Sequence, residues 1–237
     1  MIIAGVDLAW GEKNPDGICL LEGHPDRVCC RFLGLSHGDV ELLGVFDRIP
    51  GGSGVLMAID APVVCPNQTG ARPVDGLLHR VFGKAHAGAY PANRKRCARP
   101  LRVVDKLKKS GFEIGANPPW HRRQVFETFP HPCTIRWFRL KKIFKYKKGL
   151  VAEKRAEFSR LQRSLKRLIN RECPKLKESK KINHLLEQPW SKPIEDQTDA
   201  FMCALLAYQH WMWQGGQTEV LGTPDTGFVI VPKPVRG

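Results

Sequence analysis

Two short apolar runs that lead into aspartates constrain the fold of this chain most strongly. Asp7 follows the apolar residues 1–6, and Asp60 lies inside the long apolar run 55–64. A continuous apolar run of this length is typical of a strand that is covered on both faces of a sheet. Burying an unpaired carboxylate costs free energy or its charge, so such acids are rarely placed there for stability alone. The two aspartates therefore predict neighbouring parallel strands whose acidic side chains meet.

The order of the predicted elements favours an α/β fold with a mixed sheet. Strands are predicted at 2–9, 18–21, 28–35, 55–64 and 124–129, helices at 36–49, 74–82, 101–111, 151–172 and 196–213, and a closing hairpin at 219–221 and 228–231. The first three strands follow one another through short turns, which indicates antiparallel pairing, and helices then separate the later strands. We expect one domain over residues 1–237, with helices on both faces of the sheet.

Positive charge is concentrated in one part of the chain. The net charge is +15, and residues 136–181 hold 18 Lys and Arg against 4 Asp and Glu, a net charge of +14. This concentration predicts a polyanion as partner, and we interpret residues 136–190 as a basic, mostly helical insertion that contacts DNA or RNA. Within it, lysines alternate with apolar and aromatic residues that can stack on bases: Lys141, Lys142, Lys145, Lys147 and Lys148.

The cysteines and the apolar runs bear on the environment of the protein. The eight cysteines include no Cys-x-x-Cys pair, so they indicate small core residues of a reduced protein rather than a zinc site or a disulfide framework. The longest helical apolar run, residues 200–213, is too short to cross a bilayer. We therefore expect a cytoplasmic protein without membrane contact.

Further carboxylates stand in apolar surroundings later in the chain. Glu127 lies in the predicted strand 124–129, and Asp196 and Asp199 open the last predicted helix. One of that pair is expected to cap the helix, and the other shares its face. If these acids converge with Asp7 and Asp60, Mg²⁺ or Mn²⁺ is the natural counter-charge, because both ions prefer oxygen ligands.

Five sequence blocks resemble the family called domain of unknown function 429. The blocks are GVDLAW at 5–10, AIDAP at 58–62, AYPANR at 89–94, ETFPH at 127–131 and DQTDA at 196–200. The resemblance implies an RNase H-like fold and a nuclease activity that depends on an acidic metal site. It assigns Asp7, Asp60, Glu127 and Asp199 as catalytic residues and metal ligands, with Asp196 as a further ligand. Within the third block it also points to Arg94 as a substrate contact.

These patterns together predict a divalent-metal-dependent phosphodiesterase that acts on DNA or RNA. Substrate contacts are expected from the five lysines of the insertion and from a second basic cluster at Arg94, Lys95 and Arg96. A non-catalytic nucleic-acid-binding protein with the same fold is the main alternative. A small-molecule phosphotransferase is a third hypothesis. His131 is either a proton shuttle or a structural histidine.

Overall fold

A six-stranded mixed sheet forms the centre of the protein. The computed structural model describes residues 1–24, 27–176 and 179–234. The strands of the sheet are β1 (Ile2–Asp7), β2 (Asp16–Gly23), β3 (Val28–Ser36), β4 (Val55–Ile59), β5 (Phe112–Ile114) and β6 (Arg123–Glu127). They lie in the order β3-β2-β1-β4-β6-β5, with β1, β2 and β3 antiparallel and the remaining pairs parallel. The predicted mixed sheet is confirmed, and this topology is consistent with an RNase H-like arrangement.

Helices cover both faces of the sheet, as predicted. They are α1 (Gly38–Asp47), α2 (Pro73–Phe82), α3 (Ala98–Lys109), α4 (Pro130–Phe138), α5 (Val151–Glu172), α6 (Lys180–Leu185) and α7 (Lys192–Met212), and β7 (Thr218–Thr223) pairs with β8 (Gly227–Pro232) in a hairpin. One apolar core holds side chains of α1 and α3 against the sheet. The other core holds side chains of α2, α4 to α7 and the hairpin. None of the helices in the described ranges has the length and apolar character needed to cross a lipid bilayer.

Two glycines bring α7 very close to the sheet. A Cβ at Gly5 of β1 would lie 2.1 Å from the carbonyl oxygen of Ala200, and a Cβ at Gly17 of β2 would lie 2.2 Å from that of Asp196. Only a residue without a side chain permits this distance between helix and strand. The close approach fixes the height at which the first half of α7 crosses the sheet.

The basic segment 136–190 shares the core of the rest of the protein. It begins in the last turn of α4, continues without regular structure from 139 to 150, and then forms α5 and α6. The buried residues Phe158 and Leu165 of α5 belong to the same apolar core as Phe126 of β6 and Leu205 of α7. Lys177 and Glu178 of this segment lie outside the described residues.

The structure contains two elements that the sequence patterns do not predict. Strand β5 has three residues, which is too short for a recognisable alternation. Helix α4 begins at Pro130, and a second proline follows at Pro132. Prolines usually end a helix, but they are accepted in the first turn because its N–H groups have no acceptor within the helix.

Candidate metal centre

Asp7 and Asp60 are brought together by the parallel pairing of β1 and β4. Val6 pairs with Ile59, and the backbone N–H of Asp60 donates a hydrogen bond to the carbonyl oxygen of Val6 at 2.8 Å. Each aspartate directly follows this pair, so both side chains leave the same edge of the sheet. The predicted proximity of these two carboxylates is confirmed.

Asp199 reaches the same position from α7. It precedes Ala200, whose carbonyl oxygen lies against Gly5, and its side chain is fully buried. One carboxylate oxygen from each of Asp7, Asp60 and Asp199 lies within 4.8 Å of the other two. We call these three residues the acidic cluster. Three carboxylates at this spacing form a suitable oxygen donor set for one divalent cation.

Two residues of the basic segment contact the acidic cluster. The hydroxyl of Tyr146 donates a hydrogen bond to Oδ1 of Asp199 at 2.7 Å, and Nζ of Lys147 forms an ion pair with Oδ2 of Asp199. Burial lowers the pKa of Lys147, but Asp199, Asp7 and Asp60 outweigh this effect and raise it well above its ordinary value. Lys147 is therefore a fixed positive charge beside the carboxylates.

The carboxyl groups of the cluster hold their protons more strongly than usual. Burial is the main cause of the raised pKa of Asp7, and the negative charges of Asp199 and Asp60 add to it. Burial also raises the pKa of Asp60 to about 7, with contributions from Asp199 and Glu127 and an opposing one from Lys147. A divalent cation that binds near neutral pH must therefore displace protons.

The raised pKa of Asp60 predicts that metal-free protein loses stability as the pH rises. Because its folded-state pKa is about 7 and its ordinary value is 3.8, the folded protein binds more protons than the unfolded chain between these two values. We expect the unfolding free energy to fall across this window by up to about 1.4 kcal/mol per unit of pH. Urea denaturation in a chelator, compared between wild type and Asp60→Asn, measures this effect. Identical pH profiles for the two proteins would contradict it.

Glu127 lies beside the acidic cluster but has its own cationic partner. Both terminal nitrogens of Arg72 donate to the Glu127 carboxylate at 2.7 Å, and Arg72 also forms an ion pair with Asp75 at 2.8 Å. In the sheet Glu127 pairs with Ile59, one residue before Asp60. Successive side chains of a strand point to opposite faces, so this register directs Glu127 away from the face of Asp60.

We expect Glu127→Gln to affect stability more than metal binding. The substitution removes the negative charge that Arg72 meets inside the protein, and breaking a buried ion pair costs about 3 to 5 kcal/mol. Thermal unfolding and a Mg²⁺ titration of the same variant separate the two effects, with Asp60→Asn as the comparison. If Glu127→Gln lost Mg²⁺ affinity at unchanged stability, Glu127 would be a metal ligand, as the family resemblance implies.

Asp196 lies one helical turn before Asp199 and is bound by a lysine. Nζ of Lys192 is 2.6 Å from its Oδ1, and its Oδ2 is buried and has no hydrogen-bond partner within the described ranges. The expectation that Asp196 or Asp199 caps the last helix is wrong. Helix α7 begins at Lys192, and Ser191 occupies the capping position, so both aspartates lie inside the helix.

A pocket of about 740 Å³ opens beside the acidic cluster. Asp7 and Asp60 line it on one side, and Lys145, Lys147 and Lys148 line it from the basic segment. Trp10 and Tyr90 also line the pocket and are partly exposed. The volume lies within the range of small-ligand sites. The pocket therefore combines carboxylates, lysines and exposed aromatic rings.

His131 lines this pocket from the first turn of α4. Burial and the nearby charge of Lys147 lower its pKa to about 4, so its imidazole is neutral near pH 7. Its ring packs against Tyr146 with the centroids 5.5 Å apart, and its Nδ1 is buried and has no hydrogen-bond partner in the described part of the chain. His131 is thus placed among the pocket residues without a fixed polar partner.

The remaining basic residues that the sequence assigns to the substrate lie on the surface. Arg94, Lys95 and Arg96 are exposed in the loop before α3, where Nη1 of Arg96 donates to the carbonyl oxygen of Pro91 at 3.2 Å. Lys141 and Lys142 are also exposed. None of these five residues is among those that line the pocket. Their contact with a substrate stays a prediction.

Arg72 and the contact of Tyr146 with Asp199 are the features of the site that sequence reasoning missed. Arg72 and Asp75 are charges of opposite sign three residues apart, a spacing that predicts an ion pair in a helix but not its Glu127 partner. Tyr146 alternates with lysines, which favours an exposed aromatic residue, yet it is fully buried. Both features depend on contacts between residues distant in sequence.

Comparisons with known proteins identify a family. A family model described as "Protein of unknown function (DUF429)" matches residues 5–226. The matched range includes the whole acidic cluster and the basic segment. Neither the curated proteins nor the solved structures provide a match. The chain therefore belongs to the DUF429 family of proteins of unknown function.

Proposed function

We propose that this protein is a divalent-metal-dependent phosphodiesterase that cleaves nucleic acid. The observation that carries the proposal is the convergence of Asp7, Asp60 and Asp199, whose carboxylate oxygens lie within 4.8 Å of one another. Like charges at this spacing repel one another in the folded protein, and a bound cation removes the repulsion. Carboxylate clusters that hold Mg²⁺ or Mn²⁺ are suited to phosphoryl chemistry.

The donor set of the acidic cluster fits a hard cation. All its ligand atoms are carboxylate oxygens, which Mg²⁺ and Mn²⁺ prefer over softer metals. In the described residues, no protein group donates a hydrogen bond to the carboxylates of Asp7 and Asp60 (Asp199 accepts one from Tyr146). When bound, the ion would supply Lewis-acid activation of water and of a phosphoryl oxygen. Glu127 and Asp196 as additional ligands stay a prediction.

The residues around the cluster have distinct roles in this proposal. Tyr146 holds Asp199 in place through its hydrogen bond. Lys147 carries a positive charge beside the cluster, where it would pair with a phosphate oxygen of the substrate. His131 is neutral, so its imidazole can accept a hydrogen bond from a water or a substrate hydroxyl.

The choice of nucleic acid as substrate rests on charge. Lys145, Lys147 and Lys148 line the pocket, and they belong to a segment with a net charge of +14, from 18 basic and 4 acidic residues. Phosphate groups of a polynucleotide complement this charge, and their binding releases counterions. Trp10 and Tyr90 at the same pocket offer faces on which a base can stack.

A non-catalytic nucleic-acid-binding protein is the second candidate. The ion pair between Lys147 and Asp199 favours it, because Lys147 already compensates part of the negative charge of the cluster. In that case the carboxylates stabilise the position of the basic segment, and no metal is needed. The two candidates differ in whether a divalent cation binds and whether a phosphodiester is cleaved.

Cleavage of labelled substrates tests the proposal. Single-stranded DNA, duplex DNA, RNA, RNA–DNA hybrid and junction substrates are incubated with Mg²⁺, Mn²⁺ or a chelator. We expect cleavage of at least one polynucleotide with metal and none with chelator. Binding without cleavage would support the non-catalytic candidate. Turnover restricted to free nucleotides would indicate a small-molecule phosphotransferase instead.

A further inference from the structure

A second concave surface lies on the basic segment, between α5 and the end of α4. It has a volume of about 830 Å³, and five arginines line it: Arg139, Arg160, Arg163, Arg167 and Arg171. Glu172 is the only acidic residue among its lining residues. We call this surface the arginine groove. It does not include the acidic cluster and takes no part in the proposed chemistry.

Four of the arginines form a row along one face of α5. Arg160, Arg163, Arg167 and Arg171 follow one another at spacings of three or four residues, which places them on the same side of a helix. The row extends over about 16 Å, at about 1.5 Å per residue. It lies opposite the buried stripe that contains Phe158 and Leu165. The row thus presents guanidinium groups along a line.

The positive charge at the centre of the row has no carboxylate partner. Arg160 forms an ion pair with Glu157, and Arg171 forms one with Glu172. Within the described residues neither Arg163 nor Arg167 forms an ion pair; Nε of Arg163 donates only to the carbonyl oxygen of Ser159 at 3.3 Å. Unpaired arginines in a concave surface attract anions, because their charge is neither cancelled nor fully screened.

The arginine groove adjoins the pocket of the acidic cluster. Phe144 lines both concave surfaces, and the guanidinium of Arg160 stacks over its ring with 5.6 Å between the guanidinium carbon and the ring centroid. Lys145 and Lys147 follow directly in the chain and line the pocket. A ligand that leaves the acidic cluster past Phe144 therefore meets the row of arginines.

We propose that the arginine groove binds the sugar–phosphate backbone of the same nucleic-acid strand whose scissile phosphate lies at the acidic cluster. The proposal rests on the proposed function and extends it to a polynucleotide that is longer than the pocket. Repeated guanidinium groups match a chain of phosphates, since each can bind a phosphate through two hydrogen bonds. A concave row that continues into a pocket suits a strand better than a membrane surface, which is flat.

A binding experiment with a matched control tests this assignment. The variant Arg163→Ala/Arg167→Ala removes the two unpaired arginines, and Arg80→Ala/Arg155→Ala removes two exposed arginines that line neither concave surface. Both pairs are placed in an Asp7→Asn background, so that labelled single-stranded DNA and RNA are not cut during the titration. The measured quantities are the affinity at several salt concentrations and the melting temperature.

We expect the groove variant to bind long oligonucleotides about tenfold more weakly, because two charge-assisted hydrogen-bonding sites are lost. The slope of log affinity against log salt should become shallower by about two, one for each lost phosphate contact. The control variant should keep more of the affinity and of the salt slope. Both variants should melt at the wild-type temperature, and dinucleotides, which are too short to reach the groove, should bind equally to both.

The outcomes separate the groove from the proposed chemistry. If the groove variant and the control bind long oligonucleotides equally, the groove assignment is overturned while metal-dependent cleavage can still hold. If the groove variant alone loses binding but the wild-type protein shows no cleavage with any metal, the groove stands and the catalytic proposal fails. Binding of anionic phosphatidylserine vesicles through Arg163 and Arg167, without binding of DNA or RNA, would overturn the nucleic-acid assignment.

Discussion

Replacing Asp7 by asparagine should reduce metal-dependent cleavage by about a thousandfold or more, since several kcal/mol of transition-state stabilisation depend on a correctly held cation. Asparagine keeps the size of the side chain but removes one of the charges in the acidic cluster. Because burial and like charges raise the pKa of Asp7, the substitution removes a destabilising charge from the metal-free protein. Its melting temperature in a chelator should stay at or above the wild-type value.

An exposed aspartate provides the control for this substitution. Asp105 lies on α3 with an exposed side chain, and Asp105→Asn changes the net charge by the same amount as Asp7→Asn. Cleavage rates of the three proteins in Mn²⁺ and their melting temperatures in a chelator are compared. Equal rates for Asp7→Asn and wild type would remove Asp7 from the site. A rate loss that accompanied unfolding would leave only a structural role.

Replacing Gly5 by alanine should destabilise the protein and separate Asp199 from the other two carboxylates. The added Cβ would lie 2.1 Å from the carbonyl oxygen of Ala200 and 2.2 Å from the backbone nitrogen of Ala204. Both are backbone atoms, so α7 must move as a unit. Overpacking of this kind costs about 3 kcal/mol, which lowers the melting temperature of a chain of this size by roughly 6 to 12 °C. Metal affinity should fall together with stability.

Gly44→Ala is the matched control for this prediction. Gly44 lies inside α1, and a Cβ at this position would have no atom within 4 Å. Alanine is favoured over glycine in a helix, so this variant should gain about 0.5 to 1 kcal/mol. Differential scanning calorimetry with and without Mn²⁺ measures both variants. If Gly5→Ala melted at the wild-type temperature and bound Mn²⁺ normally, the close packing of α7 would not position the site.

The sequence predicts much of the fold because its main signals are local. The apolar run 55–64 ends a buried strand at Ile59 and places Asp60 at the edge. The short turns between the first three strands specify their antiparallel order, which the structure confirms. The pairing of β1 with β4 then brings Asp60 beside Asp7. The resemblance of five blocks to a family added the carboxylate of Asp199.

Other features depend on contacts that no local pattern encodes. Glu127 and Asp60 both end a strand, but a register offset of one residue turns Glu127 towards Arg72. The charge of Lys147 predicts solvent or a phosphate, whereas the fold places it against Asp199. The two prolines at the start of α4 obscure the helix. In each case tertiary packing decides between roles that the residue type alone leaves open.

The position of a bound cation tests the central claim most directly. Crystals of the wild-type protein grown with Mn²⁺ and measured near the manganese absorption edge would show the ion in an anomalous difference map. The account predicts a peak among the carboxylate oxygens of Asp7, Asp60 and Asp199, with no peak there in Asp7→Asn crystals. A wild-type map without a peak at these residues, with Lys147 still paired to Asp199, would contradict it.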